Sequence, residues 1–197
     1  MEKRGLTAAL QTNGVTAETP VAFGDEMQVS RHGTLSRVLA PVGIDVRQPV
    51  QGARESVYLS LCVDGVNGRV AWDWIVSMHH TEIALGVAAW KAAGIETIVW
   101  DNASSHGHAV VEAVGVTLIA QPPHAPELNP AERVFQELRR LLKGKSFPRL
   151  EEKVLFIENT LRRWQANPAC IQQLAGWDWI VEALDALEPS RKAELVA

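Results

Sequence analysis

Three apolar, strand-like segments, followed by a regular alternation of helical and strand-like patterns, constrain the fold of this chain most. SVYLSLCV (56–63) and RVAWDWIVS (69–77) are rich in β-branched and aromatic residues, and the DGVNG turn between them favours a hairpin. VAFGDEMQV (21–29) predicts a further strand before that hairpin. The first part of the sheet is therefore predicted to consist of three antiparallel strands.

After the hairpin, helical and strand-like patterns alternate. TEIALGVAAWKAAG predicts a helix over 81–94 that Thr81 caps and Gly94 ends. The later patterns predict strands at 96–101 and 116–121 and helices near 107–114, 130–143, 151–166 and 170–187. We therefore predict an α/β fold with a mixed five-stranded sheet, flanked by helices and completed by C-terminal helices.

The segments outside these elements are polar or rich in glycine, proline and arginine. Residues 1–18 predict an irregular lead-in, and residues 31–52 predict an irregular excursion with a short strand at 38–42. The chain is therefore predicted to comprise a polar lead-in (1–19), an α/β domain (20–150) and a C-terminal helical extension packed on the same domain (151–197).

The composition indicates a water-soluble protein with one main domain. The 197 residues are 47% hydrophobic and 21% charged, which is ordinary for a globular chain. No apolar stretch approaches the roughly 18 residues that a membrane span needs, and the N-terminal sequence does not resemble a signal peptide. Cys62 and Cys170 lie far apart and form no zinc-binding spacing. We expect a cytoplasmic protein with no membrane partner.

Charge is distributed unevenly along the chain. The net charge is −4, but residues 133–163 contain nine Lys or Arg residues and four Glu residues. This segment therefore carries +5 and the rest of the chain −9. Such a segment is either a face that contacts phosphates on an otherwise acidic molecule or a solvated helix surface, and the sequence leaves both open.

Asp25 is an acid within an apolar strand. The two-residue period of a strand places it on the same face as Phe23 and Met27, which should be buried, and places Glu26 on the opposite, outward face. An unpaired charge in an interior costs several kcal/mol, so a cation, a metal ion or strong hydrogen bonds must compensate it. The alternative is a structural aspartate with satisfied hydrogen bonds.

Asp101 directly follows the apolar strand segment that ends in IVW. Its place between helices predicts a central parallel strand, and ligands of open α/β sheets gather beyond the carboxyl ends of such strands. The alternative is a turn in which Asp101 and Asn102 bond to nearby backbone groups.

Glu132 lies in the stretch QPPHAPELNPAERVFQELRRLLK (121–143). Asn129 is a good N-cap, Pro130 suits the first helical position, and Glu132 is the third helical residue. Glu132 could therefore complete a capping box with Asn129. Its helical angle also places it beside Phe135, at the boundary of the apolar stripe, from which a carboxylate can reach the edge of the sheet.

The order of these elements and acids resembles the ribonuclease H-like DDE superfamily, and the local motifs resemble the mariner-like transposases of bacterial insertion sequences. The stretches that carry the resemblance are FGDE (23–26), APVGIDVRQPV (40–50), IVWDNASSH (98–106) and, most specifically, QPPHAPELNPAERVFQELRRLLK. His124 and Ala125 stand where the family usually has an aromatic residue and serine. The spacing of thirty residues between Asp101 and Glu132 is slightly shorter than in many relatives.

The resemblance implies that Asp25, Asp101 and Glu132 are the metal-binding triad of an Mg²⁺-dependent DDE transposase. Two ions would be bound, with Mn²⁺ able to substitute, and Asp25 would bridge them. Water would then nick DNA at the ends of the element, and the freed 3′-hydroxyl would attack target DNA. The residues expected beside the metal ligands or in contact with DNA are Asn102, His106, Asn129, Arg133, Arg139, Arg140 and Lys143.

The expected partners are the element ends, the target DNA and further copies of the chain assembled on DNA. Relatives carry helix-turn-helix modules before the catalytic domain, whereas about 20 residues precede the first strand here. We therefore expect a frameshift fusion, a separately encoded helix-turn-helix partner, or a truncated copy. Two alternatives remain: a catalytically silent transposase that modulates transposition by binding DNA or subunits, and a ribonuclease H-like hydrolase acting on other nucleic acids.

Overall fold

The computed structural model describes residues 3–31, 41–43, 55–101, 103, 104, 106, 109–121 and 128–187. These residues form a five-stranded sheet with helices on both faces. In chain order the elements are α1 (Lys3–Thr12), β1 (Val21–Ser30), β2 (Ser56–Asp64), β3 (Arg69–Ile75), α2 (His80–Ala92), β4 (Thr97–Trp100), α3 (Ala109–Glu112), β5 (Thr117–Ala120), α4 (Pro130–Leu142), α5 (Leu150–Gln165), α6 (Pro168–Ala175) and α7 (Asp178–Asp185).

The sheet has the strand order β3-β2-β1-β4-β5, so β1 is central. The first three strands are antiparallel neighbours, and β4 and β5 continue the sheet in parallel from β1. In the β2–β3 turn, the Asp64 carboxylate accepts hydrogen bonds from the Asn67 backbone and side chain at 3.0 and 2.8 Å. The prediction of a mixed sheet that begins with three antiparallel strands is confirmed.

Helices cover both faces of the sheet. One apolar cluster joins the side chains of β1 that include Phe23 to helices α1 and α4 to α7. The second cluster joins the opposite face to α2 and α3 and contains Trp90 and Trp100. Cys62 is buried, and neither Cys62 nor Cys170 forms a disulfide. Within the described ranges, no helix is both long and apolar enough to span a lipid bilayer.

The prediction of an irregular lead-in is wrong for residues 3–12, which form α1. Leu6 and Leu10 of this helix are fully buried. The Thr7 hydroxyl donates a hydrogen bond to the Ala183 carbonyl of α7 at 3.2 Å. A ten-residue helix is marginal alone, so contacts with the far end of the chain stabilise α1.

Three further predictions about the elements need correction or lie beyond the described residues. Helix α2 begins at His80 with His79 at the N-cap, so Thr81 is not its cap. The single predicted helix near 170–187 is two helices, α6 and α7, separated at Gly176 and Trp177. Most of the strand predicted at 38–42 lies outside the described residues.

Candidate active site

Asp25 lies in the middle of the central strand. It shares the face of Phe23 and Met27, both of which are buried, as the strand period predicts. Its carboxylate Oδ1 accepts a hydrogen bond from the backbone N–H of Glu26 at 2.8 Å. The sheet therefore holds this carboxyl group in a fixed position that is largely shielded from water.

Burial and neighbouring acids disfavour the charged form of Asp25. Burial raises the pKa of Asp25 to about 7, although the hydrogen bond from the Glu26 backbone opposes this shift. Repulsion from the carboxylates of Glu132, Glu26 and Asp101 contributes to the same rise in pKa. Acids from three parts of the chain thus act electrostatically on one carboxyl group, and a bound cation would relieve their repulsion.

Asn129 ties the start of α4 to β1. Its side-chain oxygen accepts a hydrogen bond from the Ala131 backbone at 3.0 Å, as expected of an N-cap. Its side-chain nitrogen donates to the carbonyl of Gly24 at 2.9 Å. Because Gly24 precedes Asp25, this buried asparagine places the first turn of α4, which contains Glu132, next to the acid of the central strand.

The Glu132 carboxylate lies 3.3 Å from the guanidinium of Arg139, two turns later on α4. The side chains are 33% and 49% exposed, so this ion pair contributes little to stability. Asn129 caps the helix by bonding to Ala131, while the Glu132 side chain is directed towards Arg139. The arrangement leaves the Glu132 carboxylate accessible at the helix surface.

Asp101 follows β4 and also forms the turn that the sequence offered as its alternative role. Its Oδ1 accepts a hydrogen bond from the backbone of Ala103 at 3.0 Å. The same oxygen lies 2.6 Å from Nδ1 of His106. This contact lowers the pKa of Asp101 below its ordinary value and outweighs the opposing effect of burial. Since the Asp101 side chain is 58% exposed, the turn presents a negative charge at the carboxyl edge of the sheet.

The prediction that Glu26 points outward is wrong, because its side chain is only 3% exposed. It lies on the sheet face that α2 and α3 cover. Glu26 Oε2 is 3.2 Å from Nε2 of His106, and Oε1 accepts a hydrogen bond from the Ser60 hydroxyl at 3.2 Å. Alternation predicts the two faces of β1 correctly but does not reveal that helices cover both of them.

His106 joins Glu26 to Asp101. Its ring is buried and stacks on Trp100, with 3.8 Å between the ring centroids. Burial alone would lower the pKa of His106, but hydrogen bonds to Asp101 and Glu26 outweigh it and raise the pKa to about 9. At neutral pH the ring is therefore a buried cation between two carboxylates. The motif IVWDNASSH indicates a role for His106, whereas the sequence alone indicates no functional role for Glu26 or Ser60.

The other basic residues predicted at the site lie along α4 and at its C-terminal end. Arg133 contacts Gln136 at 3.4 Å, Arg140 pairs with Glu137 at 2.6 Å, and Lys143 is an exposed C-cap residue. Lys153, in contrast, is buried in α5, and its ammonium donates to the Ser30 carbonyl at 2.7 Å. The basic segment of the sequence is therefore not one continuous exposed face.

Asn102, His124 and Ala125 lie outside the described residues.

Next to Asp101 and His106, a cavity of about 370 Å³ is lined by Trp100, Leu118 and Ser104, among others. It opens beside the carboxyl edge of the sheet, and Asp101 is one of its lining residues.

The donor set suits a hard divalent cation. Aspartate and glutamate oxygens are the ligands that Mg²⁺ prefers, and one or two of them with water suffice. Within the described part of the chain, no three His, Cys, Asp or Glu side chains form a ready metal-binding cluster. Asp101 is directed towards His106 and Glu132 towards Arg139. To join a metal site, the exposed Glu132 carboxylate would therefore have to leave Arg139.

Comparison with known proteins gives one family match. Residues 20–153 match the family described as DDE superfamily endonuclease. The matched region contains the whole sheet, α4 and all three acids. No curated protein matches the sequence.

Several solved structures share the fold. A Mos1 transposase paired-end complex with the left transposon end aligns with a TM-score of 0.63 and 11% identity, covering 94% of this chain and 60% of that one. A pre-cleavage Mos1 transpososome aligns with a TM-score of 0.62 and 11% identity, covering 96% and 64%. A Mos1 mariner paired-end complex with Mn aligns with a TM-score of 0.62 and 11% identity, covering 92% of this chain and 62% of that one. The chain thus spans about 60% of these proteins, and the predicted ribonuclease H-like fold is confirmed.

Proposed function

The chain belongs to the DDE superfamily of endonucleases, and from this premise we propose that it is the catalytic domain of a mariner-like transposase. It would cut DNA at the ends of an insertion sequence and join the freed 3′-hydroxyl to target DNA. One observation carries the proposal: Asp25 on the central strand, Asp101 after the adjacent parallel strand and Glu132 on the helix that Asn129 ties to Gly24.

In this proposal Asp25, Asp101 and Glu132 hold two divalent ions. Bound Mg²⁺ or Mn²⁺ would supply Lewis-acid activation of the attacking and leaving oxygens of the phosphate. Asp25 contributes a fixed carboxylate because the sheet and the Glu26 backbone position it. Asp101 and Glu132 contribute exposed carboxylates from a turn and a helix surface. Protein nucleophiles have no part in the proposed chemistry, since water and a DNA hydroxyl make the two attacks.

The proposed DNA contacts come from the exposed basic residues of α4. Arg133 and Arg140 lie on the same helix as Glu132 and Lys143 lies at its C-terminal end, so phosphates bound to them would line the helix that carries one of the acids. The Mos1 structures of similar fold include complexes with a transposon end, and we propose that this chain likewise acts on DNA as an assembly of several copies.

The direct test is a nicking assay on supercoiled plasmid DNA with Mg²⁺, with Mn²⁺ and with EDTA. We expect relaxed circles to form with either metal and not with EDTA. A second assay would supply a labelled duplex with a free 3′-hydroxyl, taken from the DNA that flanks the gene, and would measure its joining to plasmid. Binding without nicking in either metal would overturn the enzymatic proposal and support the silent modulator instead. Nicking without joining would support a hydrolase.

Replacing Arg133 and Lys143 together by alanine is expected to weaken DNA binding and its salt dependence. Each lost phosphate contact lowers the slope of log affinity against log salt by about one. The measurement is fluorescence anisotropy of a labelled duplex at several salt concentrations. Arg149→Ala with Arg162→Ala removes the same charge from α5 and its N-cap, where both arginines are paired with glutamates. This double variant should keep a slope near that of the wild type. If both double variants had the same slope of log affinity against log salt, α4 would be excluded from the DNA interface.

A further inference from the structure

We infer that Glu26 and His106 form a positioning pair that fixes the Asp101 carboxylate for metal binding, with Ser60 holding Glu26 in place. The inference rests on the proposed function, because it treats Asp101 as a metal ligand. It concerns residues that would not touch the metal or the DNA themselves. Their role would be to set the orientation of a carboxylate that the chain otherwise leaves mostly exposed.

The first argument is the geometry of the His106 ring. Nδ1 lies 2.6 Å from Asp101 Oδ1, and Nε2 lies 3.2 Å from Glu26 Oε2. Carboxylates only accept hydrogen bonds, so each ring nitrogen donates one. The ring therefore has a fixed plane, which its stacking on Trp100 reinforces. A fixed ring gives the Asp101 carboxylate a fixed donor.

The second argument is which oxygen of Asp101 the protein occupies. The contacts from His106 Nδ1 and from the Ala103 backbone both fall on Oδ1. Among the described contacts none falls on Oδ2, so this oxygen would be available to a metal ion. Hydrogen bonds that orient a ligating side chain commonly contribute 10- to 100-fold, as a rough range, to metal affinity or activity.

The third argument is the position of Glu26. It is adjacent to Asp25 on β1 but occupies the other face of the sheet. The Glu26–His106 contact therefore links the strand that carries one proposed ligand to the turn that carries another. Ser60 on β2 fixes the second oxygen of Glu26 at 3.2 Å. The spacing between Asp25 and Asp101 would then be set by a buried chain of contacts across three elements.

The test compares wild type, Glu26→Gln, His106→Ala and His106→Gln for Mn²⁺ affinity and for nicking of supercoiled plasmid. Mn²⁺ affinity is read from the metal-induced shift in unfolding temperature, which needs no DNA. We expect His106→Ala to raise the half-saturating Mn²⁺ concentration about 10- to 100-fold, with a smaller rise in Glu26→Gln. The nicking rate should recover largely at saturating Mn²⁺. His106→Gln, which retains a side-chain donor, should recover part of the affinity.

Ile98→Val is the matched control, because Ile98 is fully buried in β4 on the same sheet face and lies outside the chain of contacts. It should lower the unfolding temperature without changing the half-saturating Mn²⁺ concentration. If His106→Ala does not fold, Glu26→Gln, which keeps the shape of the side chain, carries the test. The inference would be overturned if both His106→Ala and Glu26→Gln bound Mn²⁺ with wild-type affinity. If His106→Ala does not fold, wild-type affinity in Glu26→Gln would overturn it alone. Wild-type protein that binds Mn²⁺ but does not nick DNA would overturn the proposed function while leaving the positioning role supported by the affinity series.

Discussion

Replacing Asp101 by asparagine is expected to abolish metal-dependent nicking of DNA while leaving the protein folded. Asparagine keeps an oxygen that can accept the hydrogen bond from Ala103, so the turn after β4 should persist. It loses the negative charge that would hold a metal ion. A loss of about 4 kcal/mol of transition-state stabilisation, within the several kcal/mol a metal ion supplies, corresponds to about a thousandfold lower rate.

The measurement is the initial nicking rate of Asp101→Asn on supercoiled plasmid with Mg²⁺ and with Mn²⁺, alongside circular dichroism and thermal unfolding. Glu96→Gln is the matched control, since it makes the same acid-to-amide change at an exposed site just before the opposite end of β4. It should nick DNA at the wild-type rate. Activity of Asp101→Asn within a few fold of the control would exclude Asp101 as a metal ligand.

The element order could be predicted because each strand and helix carries its own local pattern. The central strand is an informative exception. Ala22, Gly24 and Glu26 form a face that lacks large apolar residues and therefore predicts exposure. A β-carbon on Gly24 would lie 3.0 Å from the Trp90 ring, so the small residue is where α2 packs closely. The absence of bulk on this face reflects close packing rather than contact with water, and Glu26 is buried for the same reason.

Long-range packing explains why helix α1 is not predicted from the sequence. Leu6 and Leu10 have the i,i+4 spacing of one helical face, but a short polar segment gives this spacing little weight. Their helix packs against α7, and the contact includes a hydrogen bond between residues 176 positions apart. Such a partner cannot be deduced from the local pattern of either segment.

The candidate site, like the fold, can be predicted from local sequence only in part. Asp25, Asp101 and Glu132 could be selected from strand faces, strand ends and a helix cap, together with the family motifs. The contacts that give these acids their environment join residues distant in sequence, such as Glu26 to His106 and Asn129 to Gly24. A sequence pattern identifies side chains that could take part in a reaction or bind a metal. The tertiary structure decides which buried partners position them.

Asp25→Asn is expected to make the metal-free protein more stable at pH 8 while abolishing its metal-dependent nicking activity. The pKa of Asp25 is raised from 3.8 to about 7 by burial and by the neighbouring acids. Between these two values the folded protein keeps a proton that the unfolded chain releases. Stability therefore falls as the pH rises through this window and stays lower above it. The full cost is at most on the order of 4 kcal/mol, and less if the neighbouring acids share it.

Asparagine removes this cost because it carries no charge, and its oxygen can still accept the hydrogen bond from the Glu26 backbone. The measurement is urea unfolding in EDTA at pH 5 and pH 8, with the exposed Asp185→Asn as control. The stability gain of Asp25→Asn over wild type should be larger at pH 8. Asp185→Asn, at the C-terminal residue of α7, should show only a small gain that is similar at both pH values. An equal or absent gain would show that Asp25 ionises normally in the folded protein.

Adding Mn²⁺ at pH 8 should reverse the order of the two proteins. A bound cation stabilises the charged form of Asp25 and offsets the repulsion from Glu132 and Asp101, so wild type should gain stability with metal concentration by mass action. Asp25→Asn should gain much less, because it lacks one of the three carboxylates proposed to hold the metal. The acid that destabilises the metal-free fold would then be one that stabilises the metal-bound protein. This would explain why a buried strand carries an aspartate where asparagine would give a more stable protein.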